Sequence, residues 1–175
     1  METESRDLDP TLRRMFGAIV ERTFMQTLGV YEPGVTEYIT DVLTDFAHFR
    51  QVYKIKDLTG RPLDEVGDML LQADVRLLAN SFNREREVHR HIGDFTMFWA
   101  GVYPESLPTL QSQWRKDQLI DYVRQGKNSY AIAASFDYGD YRQEAAVLKR
   151  LSDDFELCLF GLSHVRGELN KMAKA

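Results

Sequence analysis

Cysteine, long apolar runs and an excess of basic charge are all scarce in this chain, and each scarcity excludes something. Cys158 is the only cysteine among 175 residues, so no intramolecular disulfide can form and a cysteine-based zinc site would have to borrow its other ligands. Such usage fits a reducing cytoplasm. Acidic residues outnumber basic ones by 27 to 22, a formal net charge of −5 at pH 7, which argues against long-range attraction to nucleic acid or to an anionic membrane and points toward proteins and small molecules as partners. Uncharged runs such as Phe95–Pro104 and Leu157–Ser163 fall well short of the roughly 20 residues that span a bilayer. The opening METESRDLDP carries neither an apolar signal core nor a lipidation motif, so export is not expected. Strand-like alternation, low-complexity tracts and internal repeats are missing as well.

What is present is an ordinary globular composition, 43% hydrophobic and 28% charged, in a 20.3 kDa chain. A single domain of that size buries roughly 70% of the surface its unfolded chain exposes and needs no covalent staple. Residues 1–8 read as a disordered tail, and residues 9–175 as one helical domain. Asp9 and Pro10 supply a cap and a proline at the first helical position; Leu12, Met15, Phe16, Ile19 and Val20 then share a face, and Gly29 is placed to end the helix. Pro33 opens a second helix with a stripe through Val35, Tyr38, Ile39, Val42, Leu43, Phe46, Phe49 and Tyr53. The turn Thr59-Gly60-Arg61-Pro62 precedes a third helical segment, carrying Leu63, Val66, Met69, Leu70 and Leu71. A fourth helix runs from about Phe82 to Tyr103 and is stopped by Pro104, and a fifth covers about 109–136. In the last segment Leu148, Leu151, Phe155, Cys158, Leu162, Val165, Leu169 and Met172 step three and four apart, the spacing of a bundle seam. Leu157, Leu159 and Phe160 lie off that seam and call for a second neighbour or a second subunit. The expected architecture is an all-α, compact bundle of five or six helices.

Candidate chemistry concentrates in residues 82–105. At helical spacing Val88, Ile92, Phe95 and Trp99 share the inner face, with Glu85 and Thr96 inside that arc and His89 at its edge, whereas Glu87, Arg90, His91 and Asp94 fall on the other side. Glu85 and His89 are four apart, close enough to approach one cation or to bond each other. A carboxylate and an imidazole on a core-facing helix supply half of a non-haem metal site, which Asp45 on the second helix would extend. A satisfied structural pair is the simpler account of the same residues. The Glu-x-x-His pattern of bundle di-iron proteins and the HExxH string of zinc proteases are both missing. Asp41 and His48 lie away from the apolar stripe of their helix, on a solvated face. Gly126-Lys127-Asn128-Ser129 lacks the upstream glycine and preceding strand of a phosphate loop. Gly126 aligns instead with Leu119, Val123, Tyr130 and Ala133, where a missing side chain lets two helices approach; a local break is the competing reading. Arg84, Arg86 and Arg90 can pair with the interleaved Glu85 and Glu87 as a solvated or interface face. Cys158, on the core seam, reads as an inert thiol.

The string from Glu85 through His89, His91, Gly93, Asp94, Phe98 and Gly101 to Pro104 and Glu105 resembles a block of uncharacterised bacterial all-helical proteins, and Arg124-Gln-Gly126-Lys127-Asn-Ser129-Tyr130 is similar to a second. The resemblance spans about the central third of the chain. It implies a bacterial cytoplasmic origin and assigns no catalytic residue. With no complete catalytic signature, the expectation is a non-catalytic helical interaction or structural protein, with a protein partner or a homodimer through the apolar surplus of the last helix. The alternative is a non-haem metal- or small-molecule-binding protein built around Glu85 and His89.

Overall fold

A computed structural model describes residues 10–48, 54–74, 81–112 and 115–174. Among these residues lie eight α-helices: α1 (Pro10–Arg22), α2 (Pro33–Phe46), α3 (Val66–Ala73), α4 (Phe82–Val102), α5 (Leu107–Leu110), α6 (Tyr122–Ala134), α7 (Arg142–Asp153) and α8 (Phe155–Ala173). The only β pairing among them is an isolated bridge between Lys56 and Pro62, closing the expected turn, in which Gly60 takes a φ of +84°. No helix among the described residues is long and apolar enough to cross a membrane. The 1–8 tail, and Phe49 and Tyr53 of the expected second stripe, lie outside the described residues.

Side-chain oxygens begin several helices where the backbone leaves N–H groups without partners. Ser81 Oγ accepts the Arg84 N–H at 3.1 Å and Asp121 Oδ1 accepts the Arg124 N–H at 3.1 Å. The cap of α3 comes from far along the chain. Asp117, wholly buried, accepts the N–H groups of Val66 and Gly67 at 2.9 Å each, and also the Tyr122 hydroxyl. This tie explains part of the helix count. A continuous helix over 109–136 would carry Asp117 away from α3; instead α5 ends, a 3₁₀ turn spans Lys116–Leu119, and α6 starts afresh at Tyr122. The last segment is cut too. Asp154, at φ −105° and ψ 26°, separates α7 from α8, yet the apolar seam crosses the cut: Leu148, Leu151, Phe155, Cys158, Leu162 and Val165 are all buried. Met172, at its end, is exposed. Eight α-helices among the described residues therefore replace the five or six expected. The first helical segment closes with a π-helical turn, Thr23–Thr27, and stops where expected, at Gly29, which takes a φ of +68°.

α4 is the axis of the bundle. It packs most extensively on α6 and also against α8, α3 and α2, and Val88 through Phe98 are buried with Arg90 as the sole exception. Fully buried Phe95, Tyr130 and Phe155 each contribute about 1.5–3 kcal/mol of burial free energy. The α4–α6–α8 junction depends on missing side chains. A Cβ at Gly126 would lie 2.4 Å from Phe155 Cζ and 2.5 Å from Thr96 Oγ1, and one at Gly93 would lie 2.4 Å from the Tyr130 ring. Gly126 is thus a point of close helix approach and not a break. Although alanine has the higher helix propensity by about 1 kcal/mol, Gly126→Ala is expected to destabilise the protein by about 1–3 kcal/mol through overpacking, measured as a lower urea midpoint at unchanged slope.

Candidate functional site

A polar cluster sits where α2, α4, α6 and α7 meet. Asp94, on α4, is buried, and its Oδ1 accepts hydroxyl hydrogen bonds from Tyr38 on α2 and Tyr130 on α6, both at 2.7 Å. The two rings meet edge to face with centroids 6.2 Å apart. One and two turns back along α4, Arg90 and Arg86 converge on Glu144 of α7. Arg90 Nη1 donates to Glu144 Oε1 at 2.8 Å and Arg86 Nη2 donates to Oε2. The Arg86 guanidinium, buried, also lies 4.0 Å from the centre of the Tyr141 ring, a cation–π contact. Burial raises the Asp94 carboxyl above its ordinary range, outweighing the pull of Arg90 and of the two hydroxyls. Burial, and the carboxyl itself, push Tyr38 and Tyr130 upward. Burial works against Glu144 as an anion, but Arg90 and Arg86 hold its carboxyl below the usual range.

These positions correct the expected helix wheel. Asp94 and His91 were assigned to the side away from the core, and both are buried; the His91 ring lies 5.9 Å from Phe46 and 6.1 Å from Phe95. α2 covers the side of α4 that a single amphipathic face leaves open. Arg86 likewise bonds Glu144 across to α7 instead of lying on a solvated face with Glu85 and Glu87. A signal did exist in the sequence: Tyr38 and Tyr130 both stand on apolar stripes, and a buried tyrosine hydroxyl needs a hydrogen-bond partner.

Of the proposed ligand residues, His89 is buried and its Nδ1 lies 3.1 Å from Ser129 Oγ on α6, which also accepts from Gln125 Nε2 at 2.9 Å. Burial lowers His89 to about 4, so its ring is neutral at pH 7. A serine beside a histidine has the makings of a nucleophile and base, but Ser129 is wholly enclosed and this pair ties α4 to α6. Glu85 is half-buried one turn before His89, and Asp45 is half-buried on α2. Among the described residues no three or more His, Cys, Asp or Glu side chains are grouped so as to hold a metal ion. Asp41 meets Arg13 at 2.8 Å, and His48 is exposed. Burial pushes the Cys158 thiol up to about 12, consistent with an inert core cysteine.

Gly126-Lys127-Asn128-Ser129 lies inside α6, at the edge of an open groove of about 340 Å³ lined by Asp121, Val123, Arg124, Lys127, Asn128 and Glu156. Lys127 Nζ bonds both Glu156 oxygens, at 2.9 and 3.1 Å. Beside this groove runs the outward side of α8. Leu159 is packed against the core and comes close to Gly101 of α4, while Leu157 and Phe160 stay 37% and 55% exposed. His164 stands edge-on to Phe160 with ring centroids 4.7 Å apart. Comparisons with known protein families, with curated proteins and with solved structures found no match, so the geometry alone supports a functional reading.

Two outcomes test the buried polar groups. Asp94→Ala strands two tyrosine hydroxyls and is expected to cost about 2–4 kcal/mol; Asp94→Asn, which keeps an acceptor oxygen, is expected to cost less, both read by chemical denaturation. The pH dependence separates His89 from Asp94. Below its unfolded pKa of about 6.5 the unfolded chain binds a proton that folded His89 refuses, so this group's stabilisation is complete above about 6.5 and lost as pH falls toward about 4. His89→Gln should remove a loss on the order of 3 kcal/mol over that window. Asp94 acts with the opposite sign: its raised folded pKa favours the fold at low pH and withdraws that support as pH rises, and Asp94→Asn should abolish this component of the profile.

Proposed function

We propose that this chain is a non-catalytic helical interaction protein that works by self-association through the outward side of α8. The observation that carries this reading is the division of that helix into two apolar sides. One side, through Cys158, Leu162 and Val165, is consumed by the core, while Leu157 and Phe160 on the other remain in water. Apolar side chains gathered on an exposed surface and rimmed by charge mark contact sites more often than they serve the folded monomer. The interior polar groups support the same reading. Asp94, Glu144 and Ser129 each hydrogen-bond a side chain on another helix of the same chain, as structural ties do. A single buried cysteine suits a reducing cytoplasm.

Size-exclusion chromatography with light scattering is the deciding measurement. The mass is expected to rise from 20.3 kDa toward twice that value as concentration approaches the order of 100 µM, the range of a weak micromolar dimer. Phe160→Glu should hold the mass at one chain with unchanged helicity. A wild-type protein that stays monomeric throughout would overturn the proposal.

A further inference from the structure

We infer that the two copies dock with α8 antiparallel to itself, about a two-fold axis that passes beside Ser163 and His164; this rests on the self-association proposed above and specifies its geometry. Glu156, Phe160, His164, Gly167 and Lys171 are spaced four, four, three and four residues apart, so they form one stripe along α8. It lies opposite the buried seam of Cys158, Leu162 and Val165. All five are exposed, and the stripe is about 22 Å long at the helical rise.

The stripe is complementary to itself in one orientation. In a two-fold contact, residue i meets residue j and residue j meets residue i. An antiparallel register that sets Phe160 opposite Gly167 also sets Glu156 opposite Lys171, and repeats both pairs on the other side of the axis. Shape agrees with charge in this register. A Cβ built on Gly167 would meet nothing within 4 Å, so the absent side chain leaves room for the half-exposed Phe160 ring of the second copy. The ends of the stripe carry opposite signs, Glu156 at one and Lys171 at the other. Parallel docking would set like charges together, and antiparallel docking sets unlike charges together and also opposes the helix dipoles favourably. A second copy thus satisfies both ends of the stripe.

Each charge already has an exposed neighbour in its own chain, Lys127 beside Glu156 and Glu168 beside Lys171. Those exposed pairs are worth little, and they are disturbed in single and double variants alike, so they do not mimic a contact across the dimer. The test uses Glu156→Lys, Lys171→Glu and the two combined, in the full chain, with dimer dissociation constants from sedimentation equilibrium and folding checked by circular dichroism. Each single reversal turns two symmetry-related pairs repulsive and is expected to weaken the dimer about tenfold. The combined variant exchanges the signs and is expected to return to within about threefold of wild type. If the wild type dimerises but the single reversals leave it unchanged, or the combination fails to restore it, the antiparallel geometry is overturned and self-association stands through another contact. If the wild type is monomeric, both proposals fall.

Discussion

A carboxyl group taken out of water must find donors, and the way Asp94 finds them organises the bundle. Its oxygen accepts the hydroxyls of Tyr38 and Tyr130, which binds α2 and α6 to α4 at a single atom. Leaving such a group unsatisfied costs several times what a typical hydrogen bond contributes, so the two tyrosines restrict how far α2 and α6 can shift along α4. Close approach is the other half of the constraint. The Tyr130 ring lies where a side chain at Gly93 would be, and Phe155 where one at Gly126 would be. Donor geometry and absent side chains therefore specify the same packing.

Charge serves two purposes in this protein. Inside, the paired guanidiniums of Arg86 and Arg90 on Glu144 join α4 to α7; such a group carries a desolvation cost that the two-to-one pairing and the Tyr141 ring offset, and its gain is definition of one arrangement more than raw stability. Asp117 likewise ties elements together by capping α3 from the 3₁₀ turn between α5 and α6. Outside, Glu156 and Lys171 near the ends of α8 carry opposite charges on either side of the exposed Phe160 ring. Inward groups tie the helices together, and the outward stripe is the surface on which the proposed self-contact rests.

Legibility from the sequence followed burial geometry. The apolar stripes of α1, α2 and α8, the proline starts at Pro10 and Pro33, the Thr59–Pro62 turn, the close approach at Gly126 and the buried Cys158 were all readable, because each depends on local periodicity or on one residue's own conformational limits. Asp94, His91 and Arg86 were misread because a helix wheel assumes one buried face. α4 has neighbours on several sides, and the donors that make an inward Asp94 tolerable stand 56 and 36 residues away. The helix count failed for a related reason: Asp117 sits in a 3₁₀ turn between two α-helices, where it caps a segment about 50 residues earlier.

By itself, then, the amino-acid order determined that the chain is helical, where the helices at Pro10, Pro33 and Phe82 start, and which apolar positions leave water along the stripes of α1, α2 and α8, since propensity, capping and hydrophobic period act within a few residues. Tertiary structure alone decided which polar groups could follow them inward, because a buried charge is acceptable only where elements remote in the chain bring its partners. It also decided which apolar residues stay outside: Leu159 and Phe160 are adjacent in sequence, yet α4 covers the first and nothing among the described residues covers the second.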